Sequence, residues 1–174
     1  MSMIENQYVT FLQSPYRFLD KTVCFWKDAV QSVINEIVLT FSRIPHSTRT
    51  YLKALHIIGH YWSRLDKSIF ESERQFVMTS VKVTDHLLSL LMSEKHIEEV
   101  TIQIDMLMES DNIIINEDGL ILEKILLEVD EEMLSTYWNA ALQFCLELTE
   151  NLPKQIEVFD VLNGKRYVHF PQIS

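Results

Sequence analysis

The chain has 174 residues, 47% of them hydrophobic, and 25 Asp or Glu against 15 Lys or Arg give it a net charge of −10 at pH 7. A chain of that length buries roughly 70% of the surface its unfolded form exposes, so it builds a core without disulfide or metal staples. Three glycines and four prolines exclude a collagenous or disordered composition, and the isolated Gly59, Gly119 and Gly164 exclude a Gly-rich phosphate loop.

Met1 to Gln7 holds neither a basic nor an apolar signal region, and no uncharged run approaches the ~18 residues that span a bilayer, which points to a soluble, cytoplasmic protein without a membrane partner. Cys24 and Cys145 sit far apart inside apolar helical patterns and read as reduced core residues. The charge is uneven. Residues 1–93 hold ten Lys or Arg against eight Asp or Glu, residues 94–132 two against thirteen, and residues 133–174 three against four. An acidic stretch of this kind favours basic partners and repels phosphate backbones.

In chain order, Ser14-Pro15 is a helix entrance, followed by Leu19, Val23, Trp26, Val30, Val33, Ile37 and Phe41 at alternating steps of four and three, a pattern that ends before Pro45. A second helix is expected after Ser47, with Tyr51 or Leu52, Leu55, Ile58, Trp62, Leu65 and Ile69 on its inner face. Ser72-Glu73-Arg74-Gln75 fits a capping box. The third helix then shows Val77, Val81, Thr84, Leu88 and Leu91, flanked by Phe76, Val83, Leu87 and Leu90, a stripe wide enough for a central helix. Ile97, Val100, Ile104, Leu107 and Met108 continue the helical period through residue 109.

The stretch from 113 to 122 around Asn116-Glu117-Asp118-Gly119 reads either as a short hairpin or as a helix entrance. Leu122, Ile125 or Leu126, and Val129 at helical spacing favour a helix capped by Asp118. A winged DNA reader would place a recognition helix just before it, but Glu94, Glu98, Glu99, Asp105 and Glu109 against Lys95 alone would expel that helix from a groove. A further helix from about Asp130 to Asn151 carries Leu134, Trp138, Ala141, Cys145 and Leu148 on one face. The tail then changes to the strand period, and Asn163-Gly164 signals a two-residue hairpin turn, with Phe159, Val161, Val168 and Phe170 on the face that packs inward.

The expected fold is therefore all-α, or α with minor β: one domain, a bundle of five or six helices over residues 8–152 with a β-hairpin tail at 153–174 packed on it. Its expected role is that of an intracellular, non-catalytic protein-interaction module in the manner of an immunity protein, antitoxin or adaptor. Glu98, Glu99, Asp105 and Glu109 would meet a basic partner surface, and Trp62 and Trp138, each one of an adjacent aromatic pair, would stand at the rim. A homodimer is the other partner this pattern suits. No cofactor is implied.

Two further readings concern other chemistry. In "RTYLKALHIIGH", Arg49 and His56 have the arginine, four to six residues, histidine spacing that resembles the HEPN ribonuclease families. Those are helical bundles too, and the resemblance implies an arginine that stabilises phosphate and a histidine that works in acid-base cleavage of RNA across a dimer cleft. His56 and His60, four apart, are the one pair spaced to share a metal, although no Glu stands between them and no Glu-x-x-His occurs. A bundle enclosing an apolar small ligand is a third reading.

Overall fold

The computed structural model describes residues 25–93, 100–101, 111–116, 119–149 and 151–171. Three helices come first, α1 (Phe25–Ser42), α2 (Tyr51–Ser63) and α3 (Glu73–Leu91), and a fourth, α4 (Glu131–Thr149), lies between strands. The strands are β1 (Val100–Thr101), β2 (Asp111–Asn116), β3 (Gly119–Leu126), β4 (Gln155–Asp160) and β5 (Lys165–His169), forming one sheet in the order β1-β2-β3-β4-β5. Every pairing is antiparallel except β3 with β4, which are parallel because α4 carries the chain back between them.

The helices follow their apolar spacing and their caps. Val30, Ile34, Ile37, Val38 and Phe41 bury one stripe of α1. The part of that helix expected from Ser14 to Cys24 lies outside the described residues. Pro45 ends the segment, and a 3-10 turn at His46–Thr48 delays α2, whose cap is Thr50 accepting from the Lys53 N–H at 3.2 Å. Ser72 caps α3 by accepting from the Gln75 N–H at 3.1 Å, and the Gln75 side chain accepts from the Glu71 N–H at 2.8 Å, one residue outside the usual box. Asp130 caps α4 through the Met133 N–H at 2.8 Å.

The helix-rich class with a β component holds, but the count of five or six helices does not, because four α-helices stand among the described residues. The sheet is also larger than a C-terminal hairpin. Of the two readings of residues 113–122, the favoured helix entrance is overturned and the short hairpin holds: β2 pairs antiparallel with β3, Asn116 opposite Gly119, whose φ of 129° asks for glycine. Val100 and Thr101, expected in a helix, form an edge strand; the rest of that expected helix lies outside the described residues.

The cause is visible in β3. Leu122, Glu123, Lys124, Ile125, Leu126 and Leu127 are all buried, so this central strand is covered on both faces and its alternation vanishes from the sequence. The C-terminal hairpin forms, but Asp160 pairs with Lys165, leaving a four-residue loop where two were expected. Asp160 itself sets that loop: one carboxylate oxygen accepts from the Asn163 N–H at 2.9 Å and the other from its amide nitrogen at 2.9 Å. The Val161 and Leu162 N–H groups then donate to the Leu126 and Leu127 carbonyls, extending the parallel ladder. Val168 and Phe170, expected to pack inward, are exposed, while the opposite face holds His169 stacked on Trp138 of α4, ring centroids 4.9 Å apart.

Helices α1 and α3 meet the sheet at the end where β3 stops. The Gln31 amide of α1 donates to the Ile125 carbonyl at 2.9 Å and accepts from the Leu127 N–H at 2.7 Å. Lys27 reaches Glu128 at 2.6 Å. From α3, His86 Nδ1 lies 2.6 Å from the Val161 carbonyl and its ring closes over Gly164. One core runs through all of this, from Val30 and Ile34 of α1 through Ile58, Leu87 and Tyr137 to Ile156 and Val158 of β4.

Candidate functional site

The residues singled out for catalysis have other employment or stand apart. The Arg49 guanidinium donates to the Ile44 carbonyl at 3.0 Å and to the Ser42 carbonyl at 3.0 Å, and it lies over the Phe41 ring at 5.2 Å. It caps the C-terminal carbonyls of α1, where the helix dipole favours a cation. His56 is exposed on α2, and His60, also exposed, sets its ring edge-on to Tyr61 at 5.3 Å. Among the described residues no group of three or more His, Cys, Asp or Glu gathers as a metal site.

Of the residues expected to meet a partner, Glu98, Glu99, Asp105 and Glu109 lie outside the described residues. Trp62 is buried, set edge-on to Phe76 at 5.8 Å. Phe76 touches Phe70, and Phe70 touches Trp26, so a chain of aromatic rings pins the α2–α3 connection against α1. Trp138 is half-buried under His169. Both tryptophans therefore pack within the chain. Cys145 lies in the core as expected, and burial pushes its thiol up to about 12. Cys24 is outside the described residues.

A polar cluster on the sheet was not visible in the sequence. Glu123 of β3 and Glu157 of β4 are directly paired, almost fully buried, and both accept from one guanidinium nitrogen of Arg166 on β5, the first at 3.2 Å. Gln155 donates to the same Glu157 carboxylate, and Arg166 also lies over the Phe159 ring. Burial alone would lower the pKa of Arg166, but the hydrogen bond and charge of Glu157, then those of Glu123, outweigh it and raise the pKa. A cation wedged between two carboxylates compensates both, which suits a clamp across three strands better than acid-base work.

An open cleft of about 330 Å³ lies between α1 and α2, lined by Ser32, Val33, Glu36, Tyr61, Arg64 and Leu65. The Tyr61 hydroxyl sits 2.7 Å from Thr40 Oγ1 and donates more weakly to Glu36 at 3.5 Å. This hollow is on the outside of the helices and mixes charged with apolar groups, unlike the enclosed apolar pocket considered from the sequence.

The outward faces of α2 and α3 stand out instead. On α2, Tyr51, Leu52 and Leu55 are 58%, 77% and 44% exposed; on α3, Val77, Met78 and Val81 are 45%, 51% and 61% exposed. The two helices touch each other, and they carry most of the large exposed apolar side chains found among the described residues. The sequence placed Leu52, Leu55, Val77 and Val81 in the core. The core side of α3 is instead Thr79, Val83, Leu87, Leu90 and Leu91: Val83, Leu87 and Leu90 belong to the flanking set, and Leu91 alone of the expected stripe is buried. The available signal was the width of the apolar stripe, more than one core contact can cover.

No match to a family model, a curated protein or a solved structure was found for this chain.

Proposed function

We propose that the chain is a non-catalytic protein-interaction module of the cytoplasm, adaptor-like or akin to an immunity protein or antitoxin in manner of action. The observation that carries this is the set of six apolar side chains on α2 and α3 left in water. Fully covering one large apolar side chain is worth about 1.5–3 kcal/mol, so several left in water on two touching helices reward a partner that covers them. The acid-rich segment 94–132 supports a second, longer-range role, drawing in a basic protein surface or a second copy before apolar contact is made.

Capture from a cell extract with tagged protein tests this, comparing the wild type with the double variant Leu52→Ser/Val81→Ser, whose exposed positions leave the core untouched. The expected result is a stoichiometric protein partner held by the wild type and lost from the variant. Charge reversal at Glu98, Glu99 and Glu109 should slow association with that partner and flatten its salt dependence. A partner indifferent to both sets of changes, or none at stoichiometry, overturns the proposal.

A further inference from the structure

Asn163 lies in the loop between β4 and β5, and it alone of the chain's seven asparagines is followed by glycine. That dipeptide is chemically self-reactive. The Gly164 backbone nitrogen, shielded by no side chain of its own residue, attacks the Asn163 side-chain carbonyl carbon. The attacking nitrogen gives up its proton, the amide nitrogen leaves as ammonia, and a five-membered succinimide closes. Water then opens the ring at either carbonyl, giving aspartate, or isoaspartate in which the backbone runs through the former side chain. Both residues are exposed, so water reaches the site.

The folded loop works against this chemistry. The Asn163 N–H donates to one carboxylate oxygen of Asp160 at 2.9 Å, and Nδ2 donates to the other at 2.9 Å, while Asp160 itself is fully buried. The leaving nitrogen and the backbone of the same residue are thus tied to one fixed anion. An ionised carboxylate only accepts: it holds the amide in one orientation and offers no proton to a departing nitrogen. Gly164 is fixed as well, at a φ of 63° with the His86 ring packed over it.

We infer that Asn163 is a self-modification site, converted to aspartate or isoaspartate when the β4–β5 loop opens, with the Asp160 clamp setting the rate. The conversion runs one way. A carboxylate in place of Nδ2 faces Asp160 with like charge where a donor stood, and isoaspartate adds a backbone atom to the loop. The clamp is lost next to the point where His86 of α3 meets the Val161 carbonyl, so an aged chain has a looser hairpin than a new one. This inference is independent of the interaction-module reading.

The full chain is incubated in mildly alkaline buffer, native and in urea, then digested with trypsin, and peptide 155–165 is followed by chromatography and mass spectrometry for aspartate and isoaspartate at position 163. In urea Asn163 should convert ahead of the other six asparagines, equally fast in the wild type and in Asp160→Asn. In the native wild type it should convert at least about tenfold more slowly than in urea, because only the opened loop reacts. Native Asp160→Asn should convert faster than the native wild type. Hydrogen exchange at the Asn163 N–H of the wild type reads the same clamp without a variant and should be slowed by a similar factor. Asn163→Asp should lower the melting temperature by at least about 2 °C. The inference is overturned if Asn163 converts no faster in urea than the other asparagines, or if native and urea rates agree. It is also overturned by a freely exchanging Asn163 N–H, by native Asp160→Asn converting as slowly as the wild type, or by an unchanged melting temperature for Asn163→Asp.

Discussion

Replacing Gln31 with alanine should unfasten α1 from the sheet. Its side chain is 3% exposed and acts as an extra rung on β3, donating to the Ile125 carbonyl and accepting from the Leu127 N–H. Alanine leaves both backbone groups buried without these partners, at about 1–3 kcal/mol each, so the loss should be about 2–6 kcal/mol. In a chain of this length each kcal/mol shifts the melting temperature by about 2–4 °C, which puts the expected drop near 10 °C. Asn35→Ala, which removes only the further contact from the Gln31 amide at 2.9 Å, is the control and should change stability by less than about 0.5 kcal/mol. Gln31→Glu sharpens the test, because a carboxylate cannot donate to Ile125 whereas a carboxylic acid can. Its folded pKa should therefore stand above the ordinary value of about 4.3, and its deficit against the wild type should shrink as pH falls through that raised value. Thermal melts of the three variants across pH read this directly. A drop below about 2 °C for Gln31→Ala, or a pH-independent deficit for Gln31→Glu, refutes the rung.

Arg166→Met should cost about 3–5 kcal/mol at neutral pH by leaving Glu123 and Glu157 buried side by side without the guanidinium; a neutral effect by urea denaturation would remove the clamp. Gly164→Ala meets both a φ of 63° and a Cβ position 2.7 Å from His86 Nε2, so a loss of about 1–3 kcal/mol is expected. The loss should be smaller when His86→Ala is already present, and strict additivity in that cycle would show that the ring is not the obstacle. Cys145 should resist thiol reagents in the native state. Its thiol ionises near 9 when unfolded and near 12 when folded, so the unfolded chain gives up the proton first and stability falls as pH rises between those values. Cys145→Ala should make the decline of unfolding free energy between those values shallower, by at most about 1.4 kcal/mol per pH unit, and an unchanged slope would refute the burial argument.

Local signals with a single cause were legible in the sequence. Ser72 with Gln75, Asp130 and Pro45 mark helix ends by satisfying or removing backbone donors, and each lies at a boundary in the structure. Strand β3 was not legible, because a strand covered on both faces shows no period of two, and Glu123 and Lys124 within it imitate the polar side of a helix. The hairpin turn was placed on the right residues with the wrong register, since the Asp160 side chain holds Asn163 and lengthens the loop. On α2 and α3 periodicity found the apolar residues but could not say which ones lack a neighbour. That depends on where α1 and the sheet stop, which is tertiary information.

The docking of α1 by Gln31 spans 94 residues to Ile125 and 96 to Leu127. During synthesis the helices therefore leave the ribosome well before the strand that completes their environment. Translation at about 5–20 residues per second leaves an interval of roughly 5–20 s in which the inner faces of α1 to α3 have only one another. The parallel partner β4 follows later still, after α4. The nascent chain thus displays the inner faces of its first three helices well before the strand that α1 docks on, and only a cluster of those helices with one another can shield them in that interval.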